Sequence, residues 1–223
     1  MILNTVYILP RHPKPGAYLI WLSLLAILGL GVTVFLFPDI NGAAVALLLF
    51  GLLCLLGIGI RLNRQPPVGF TLTFMHLQYH SPQGGWITKW QDVAEIGRAS
   101  VGYEGWYQPL PWIGVRLKHY DDFLDSICPR IASQILMEQR GLLIMAYKRA
   151  DSPPHEIEDM LFDDKHFVGE NGKVNKGLLA MLANRMRYNR ELMGFDFFIS
   201  EDLLDRPADD FIGLARRFLA QSR

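Results

Sequence analysis

The chain has 223 residues, of which 50% are hydrophobic and 20% are charged, and its formal net charge is zero. The balanced charge excludes a nucleic-acid-binding protein that relies on a concentrated basic surface, and two cysteines exclude a disulfide scaffold. The content of charged residues is low only in residues 1–64, which contain four Lys or Arg and one Asp, whereas residues 65–223 contain 18 basic and 21 acidic residues. An apolar N-terminal part is therefore followed by a mildly acidic body.

Residues 1–16 form a short segment before the first long apolar run, and we expect this segment to be cytoplasmic. Its first nine residues are too apolar for a free tail and too short to cross a membrane. Residues 6–9 favour a strand, and prolines at positions 10, 13 and 15 end that strand. The pattern predicts an edge strand that pairs with the sheet of the body, so that the folded domain is interrupted by the apolar part.

Two uncharged runs, residues 17–37 and 43–60, predict a transmembrane helical hairpin over residues 17–60. A helix of 21 residues is about 30 Å long, which matches the hydrocarbon thickness of a bilayer, and 18 residues is near the lower limit. A cleaved signal peptide and a buried soluble hairpin are weaker interpretations, because a second run follows directly and about 160 residues cannot enclose two fully apolar helices. Residues 61–69 are predicted to be a linker.

The charges that flank the two runs predict the orientation of the hairpin. Arg11 and Lys14 precede the first run, Arg61 and Arg64 follow the second, and the connecting residues 38–42 contain no Lys or Arg. By the positive-inside rule, both chain termini are cytoplasmic and the lipid bilayer is the first partner. Glycines in the two runs could also bring helices into close contact, within the hairpin or in a homo-oligomer.

Residues 70–223 predict an α+β domain. Short alternating strands are expected at residues 70–74, 77–79, 86–90, 94–98 and 113–117, which is typical of an antiparallel meander or small barrel. Helices are expected at residues 129–140 and 176–193, followed by a strand over 194–200. A last helix runs to about residue 220, with Asp205 as its cap and Pro207 near its first turn.

The segment Trp90-Gln91-Asp92-Val93-Ala94-Glu95-Ile96 follows the first strands of this body. Together with the hairpin and the late strand and helix, it resembles an uncharacterised family of small bacterial two-span membrane proteins with a pleckstrin-homology-like (PH-like) cytoplasmic domain. The resemblance implies a PH-like antiparallel sheet or partial barrel with a C-terminal helix, from which this sequence departs by a helical insertion over about residues 121–193. It also implies a multi-pass protein of the bacterial inner (plasma) membrane, and it implies no activity and no cofactor.

The segment 151–166 contains six acidic residues and two histidines. On a helix, His155, Asp159 and Asp163 would recur at i, i+4 and i+8 and would present metal-ligand atoms on one face. The same stretch resembles the HExxH zinc motif with Asp in place of the second histidine, but it has no identifiable third ligand. An acidic, solvated helix start is the favoured interpretation, because acidic side chains complement the helix dipole.

Two further groups are candidates for contact with a partner. The first is a segment rich in aromatic residues, expected to be a long loop that either enters the lipid interface or covers the end of the core: Tyr103, Trp106, Tyr107 and Trp112. The second is a basic arc on the helix over 176–193, which would contact lipid headgroups or be an ordinary solvated face: Lys176, Arg187 and Arg190.

The sequence contains no glycine-rich phosphate loop, no nucleophile triad and no CxxC pair. We therefore expect a membrane-anchored cytoplasmic interaction domain, not an enzyme, that binds a protein or lipid partner, with no nucleic acid and no cofactor. One alternative is a membrane-tethered, metal-dependent enzyme that uses residues 155–166. Another is a structural subunit that assembles through its spans.

Overall fold

The computed structural model describes residues 4–10, 16–37, 39, 41–63, 66, 68–103, 106–150, 153 and 155–222. The chain divides into two compact units. One unit is His12–Pro66, and the other is the body, which combines Met1–Arg11 with Pro67–Arg223. The body is therefore discontinuous in sequence, because the apolar unit is inserted into it.

The inserted unit contains two helices that are long and apolar enough to cross a membrane. Helix α1 is Gly16–Leu36 and helix α2 is Gly42–Asn63, with mean hydropathies of 2.5 and 2.7 over their most apolar windows. The hydroxyl groups of Ser23 and Thr33 donate to carbonyl oxygens one turn earlier, at 2.6 and 2.8 Å, which satisfies these polar groups within the helix. Two candidate spans are thus present where the sequence predicts them, with boundaries shifted by one to three residues.

The two helices approach most closely at Gly16 and Gly59. A Cβ atom on Gly16 would collide with the backbone of Asn63, and one on Gly59 would lie 3.1 Å from the backbone and side chain of Ile20. By contrast, the glycines at positions 29, 31, 51 and 57 have no such neighbour within 4 Å among the described residues. Of these five glycines in the predicted runs, only Gly59 lies in close contact with the other helix of the hairpin.

The body has its strands in two main antiparallel sheets, and helices complete it. The strands in chain order are β1 (Val6–Ile8), β2 (Phe70–Leu72), β3 (His76–Ser81), β4 (Gly84–Lys89), β5 (Val93–Tyr103), β6 (Trp106–Leu117), β7 (Phe167–Val168), β8 (Val174–Asn175) and β9 (Phe197–Ser200). The helices of the body are α3 (Asp121–Ser126), α4 (Pro129–Glu138), α5 (Arg140–Arg149), α6 (Ile157–Phe162), α7 (Leu178–Met193) and α8 (Ala208–Gln221). Short 3-10 helices lie at Trp90–Asp92 and Glu201–Leu203.

The first sheet has the order β1-β2-β3-β4, and the second has the order β5-β6-β9. In the described part of the chain, the two sheets do not close into one hydrogen-bonded barrel. The N-terminal strand is at the edge of the first sheet, where Val6 pairs with Leu72 and Ile8 pairs with Phe70. Ile8 is fully buried in the core, so the segment that precedes the spans is part of the folded body.

A single main core lies between the sheets and the C-terminal helix. Trp90 stacks on Phe218 of α8 with a centroid distance of 5.7 Å, and Phe70 contacts Phe211 at 5.9 Å. The face of α8 that carries Phe211 and Phe218 therefore covers the sheets. Asp205 does not cap this helix; its carboxylate accepts from the amide of Leu9 and pairs with Arg206. Pro207 occupies the N-cap position instead.

Three further local predictions are corrected by the structure. The predicted helix over 129–140 ends at Glu138, and α5 follows after Gln139. The helix predicted to begin at Lys176 begins at Leu178, because Gly177 adopts a positive φ of 59°. In the predicted loop over 103–112, Tyr103 is the last residue of β5 and residues 106–112 begin β6, and these two strands pair as a hairpin.

Candidate functional site

The hairpin of β5 and β6 carries the most exposed aromatic side chains of the described body. Trp106 is 81% exposed and Tyr107 is 82% exposed, whereas a typical aromatic side chain is largely buried. The side chain of Tyr103 and residues 104–105 lie outside the described residues. We call Trp106 and Tyr107 the hairpin tip.

The base of the same hairpin packs against the body. Leu110 is buried in a second apolar cluster, and Trp112 is half-buried against that cluster. Arg149, at the end of α5, donates to the side-chain oxygen of Gln108 at 3.2 Å, next to the tip. The predicted aromatic segment is therefore divided: Trp112 belongs with the core, and the hairpin tip projects into solvent.

The structure does not place His155, Asp159 and Asp163 on one helix face. Helix α6 has only six residues, so His155 precedes it and Asp163 follows it. His155 lies 3.9 Å from Glu191, and Asp163 accepts from the hydroxyl of Tyr188 at 2.7 Å. Among the residues that the structure describes, no three His, Cys, Asp or Glu side chains form a group that could hold a metal ion. The helical arrangement expected for the metal site is wrong.

The structure separates Lys176 from the other two basic residues of the predicted arc, Arg187 and Arg190, which line a common cleft. Lys176 lies before the helix and is exposed, and Arg187 is exposed on the helix itself. Arg190 is turned toward the body, where its Nε and Nη2 donate to both oxygens of Asp196, each at 2.7 Å. The predicted arc is therefore not one continuous basic face of α7.

Asp196 is the centre of a buried polar network that the sequence analysis missed. Its side chain is fully buried, and besides Arg190 it accepts from the amide of Leu117 at 2.6 Å and from the hydroxyl of Tyr120 at 2.7 Å. Burial and the adjacent carboxylate strongly raise the pKa of Tyr120, and the bond to Asp196 raises the pKa of Arg190. A lone Asp within the apolar run of residues 195–199 was the available signal, because a buried carboxylate requires partners.

Arg185 is a further structural residue that its place in the sequence did not indicate. It is buried, and its guanidinium donates to the carbonyl oxygens of Met160 and Leu161 at 3.1 and 2.7 Å, at the C-terminal end of α6. Burial lowers the pKa of Arg185 to about 10. On the same helix, burial and the bond to Asp163 raise the pKa of Tyr188 to about 12. These contacts attach the acidic segment to α7.

Residues 70–221 match a family described as "Protein of unknown function (DUF2982)". The chain belongs to the DUF2982 family. The DUF2982 match begins at the first residue of β2 and ends at the last residue of α8, so it covers the body after the spans and leaves out β1. No curated protein matches the chain, and no solved structure matches it.

Proposed function

We propose that this DUF2982 protein is a two-span protein of the bacterial inner membrane, with a cytoplasmic, non-catalytic, PH-like body that docks on the lipid surface. The hairpin tip is the docking element in this proposal. The observation that carries it is the near-complete exposure of Trp106 and Tyr107 on a body whose own chain contains two candidate membrane spans.

The order of the strands supports the PH-like assignment. A four-stranded and a three-stranded antiparallel sheet are followed by a C-terminal helix that packs on the core between them. Two insertions separate this chain from a minimal domain of that kind. The spans are inserted between β1 and β2, and helices α3–α7 with the small β7–β8 pair are inserted between β6 and β9.

The pairing of β1 with β2 supports a topology in which both ends of the span hairpin lie on one side of the membrane. Only residues 9–15 and 64–69 connect these two strands to the spans, and the strands are hydrogen-bonded neighbours. By the positive-inside rule, the four basic residues near the hairpin ends support a cytoplasmic location for that side.

The chemistry of the hairpin tip favours lipid over a protein partner. Trp and Tyr side chains prefer the membrane–water interface, where the ring is apolar and its polar atom remains hydrated. The basic residues Lys148 and Arg149 end α5, and Arg149 contacts the strand that carries the tip. Anionic lipid headgroups attract such a pair of cations by about 1 kcal/mol for each residue near the surface.

Topology is tested with reporter fusions in a bacterial host. Alkaline phosphatase inserted next to Asn41 should be active, and the same reporter after residue 223 should be inactive. An active C-terminal fusion would place the body outside the cytoplasm and would contradict the proposal.

Docking is tested by photo-crosslinking in native membranes. A benzoylphenylalanine residue in place of Tyr107 should form adducts of lipid mass on irradiation. The control is the same residue in place of Met137, which is 76% exposed on α4 and should form no lipid adduct. Adducts of protein mass alone at position 107 would assign the tip to a protein partner and overturn docking on lipid.

A further inference from the structure

A cleft of about 180 Å³ lies within the insertion of the body, between the end of β6, the start of α3, the β7–β8 pair and α7. We call it the basic cleft, because four basic side chains line it: Lys118, His119, Arg187 and Arg190. The hairpin tip is not part of this cleft, whereas Arg187 also lines a neighbouring pocket formed by the acidic residues 158–164.

Arg190 is the most rigid donor in the basic cleft. Its Nε and Nη2 are held by the buried carboxylate of Asp196, and Nη2 also donates to the carbonyl oxygen of Leu117 at 2.8 Å. Its Nη1 makes no hydrogen bond to any described residue, and 39% of the side chain is exposed. The buried network therefore fixes the guanidinium and leaves one nitrogen available for a ligand.

Two more cations of the basic cleft have hydrogen-bonding capacity that the protein does not use. Arg187 lies three residues before Arg190 on α7, and no described carboxylate lies within 4.0 Å of its guanidinium. Lys118 donates to the carbonyl oxygen of Gln91 at 2.7 Å, which uses one of its three N–H groups and leaves its charge unpaired.

The basic cleft also has two acidic residues, Asp121 and Glu170. Asp121 accepts from the backbone amides of Glu170 and Asn171 through Oδ2, at 3.0 and 3.3 Å, whereas its buried Oδ1 has no hydrogen-bond partner among the described residues. Glu170 lies 2.6 Å from Nδ1 of His119, so that its charge is balanced when the imidazole is protonated. The floor of the cleft is aromatic, because the rings of Tyr120 and Phe167 stack with a centroid distance of 5.8 Å.

We infer that the basic cleft binds a phosphate group, carried either by a lipid headgroup or by a small soluble molecule. Arginine and lysine donors that converge from two elements are the usual means of holding phosphate oxygens in proteins. The volume is below the roughly 300 Å³ of a pocket that encloses a whole small molecule, so the cleft admits the anionic group and leaves the remainder outside. This site is separate from the hairpin tip and does not depend on docking of the tip.

The first experiment titrates the full-length protein, in nanodiscs of phosphatidylcholine, with inorganic phosphate by calorimetry. The second compares nanodiscs with and without phosphatidic acid and follows the hydrogen exchange of residues 167–170, which line the cleft. Saturable binding of inorganic phosphate indicates a soluble ligand. Slower exchange with phosphatidic acid alone indicates a lipid headgroup. Either result supports the phosphate site.

Two variants distinguish binding at the basic cleft from a general effect of positive surface charge. Arg187→Gln should weaken binding by about tenfold or more, because it removes one charge-assisted hydrogen bond. The matched control is Arg130→Gln, which removes an exposed arginine of α4 and should leave binding unchanged. The inference is overturned if neither ligand binds saturably, or if the two variants weaken binding equally. Because Arg187 is exposed and unpaired, its loss should not impair folding.

Discussion

Replacing Asp196 with Asn tests the buried network that holds Arg190, because it removes the negative charge and preserves the shape of the side chain. The carboxylate accepts four hydrogen bonds of 2.6–2.7 Å from Leu117, Tyr120 and Arg190. An amide can accept on one side only and presents an N–H₂ group on the other. In the favoured orientation, the N–H₂ group of the Asn side chain faces Tyr120, whose hydroxyl can rotate to accept a hydrogen bond from it. The same N–H₂ group then faces Nε of Arg190, which is also a donor and loses its acceptor.

The expected loss follows from the groups that remain unpaired. An unsatisfied buried donor costs about 1–3 kcal/mol, and breaking a buried ion pair costs about 3–5 kcal/mol. The side chain of Arg190 is 39% exposed and can regain water, so the lower end applies. We expect Asp196→Asn to lower the free energy of unfolding by about 3 kcal/mol. For a domain of this size, that corresponds to a decrease in Tm of about 10 °C.

The assay is thermal unfolding of the full-length protein in detergent, followed by the fluorescence of the buried residues Trp86 and Trp90. The matched control is Asp125→Asn, which removes an exposed ion pair with Lys173 and should cost less than about 1 kcal/mol. If the Tm of Asp196→Asn equals that of the control, the network does not stabilise the body and the reasoning is refuted.

Three further predictions concern other parts of the body. Glu170 raises the pKa of His119 in the folded protein. The stabilisation from this pair is therefore complete below pH 6.5 and is lost as the pH rises through the higher pKa of the folded state. An NMR titration should show that Glu170→Gln returns the pKa of His119 toward 6.5. Gly114→Ala should destabilise the body by about 1–3 kcal/mol in denaturant titrations, because its Cβ would overlap the ring of Phe195, whereas Gly102→Ala, which meets no described atom within 4 Å, should not. A fragment of residues 67–223 lacks β1 and should elute as aggregates in size-exclusion chromatography. Joining residues 1–11 to this fragment through a flexible linker should restore a monomer. A monomeric fragment without residues 1–11 would contradict the role of β1 in the sheet.

The parts of the fold that could be predicted are those in which a local pattern and the tertiary structure agree. The spans follow from the length of two uncharged runs, and α7 ends at Gly194, which adopts the left-handed conformation with a φ of 78°. The edge strand β1 follows from an apolar segment that is too short to span a membrane and is ended by prolines. In each case a few neighbouring residues determine the outcome.

The strands predicted at residues 94–98 and 113–117 lie within β5 and β6, but their extension toward the hairpin tip could not be predicted, because Pro109 and Pro111 indicate a loop. The structure accommodates them because β9 pairs only with Trp112–Val115 of β6. The strand is therefore an edge strand where the prolines lie, and a missing N–H group is tolerated there. The network of Asp196 could not be predicted either, because its partners Leu117 and Tyr120 are more than 70 residues away in the chain.

In the proposed topology, two membrane-spanning helices are inserted between two hydrogen-bonded strands, so formation of the first sheet depends on correct membrane insertion. β1 is synthesised before either span and β2 after both, so the pairing of Ile8 with Phe70 must wait until the hairpin is complete. If only one helix crossed the bilayer, the two strands would end on opposite sides and the first sheet would lack its edge. An odd number of crossings would thus yield a body that cannot fold and that exposes an unpaired strand to quality-control proteases.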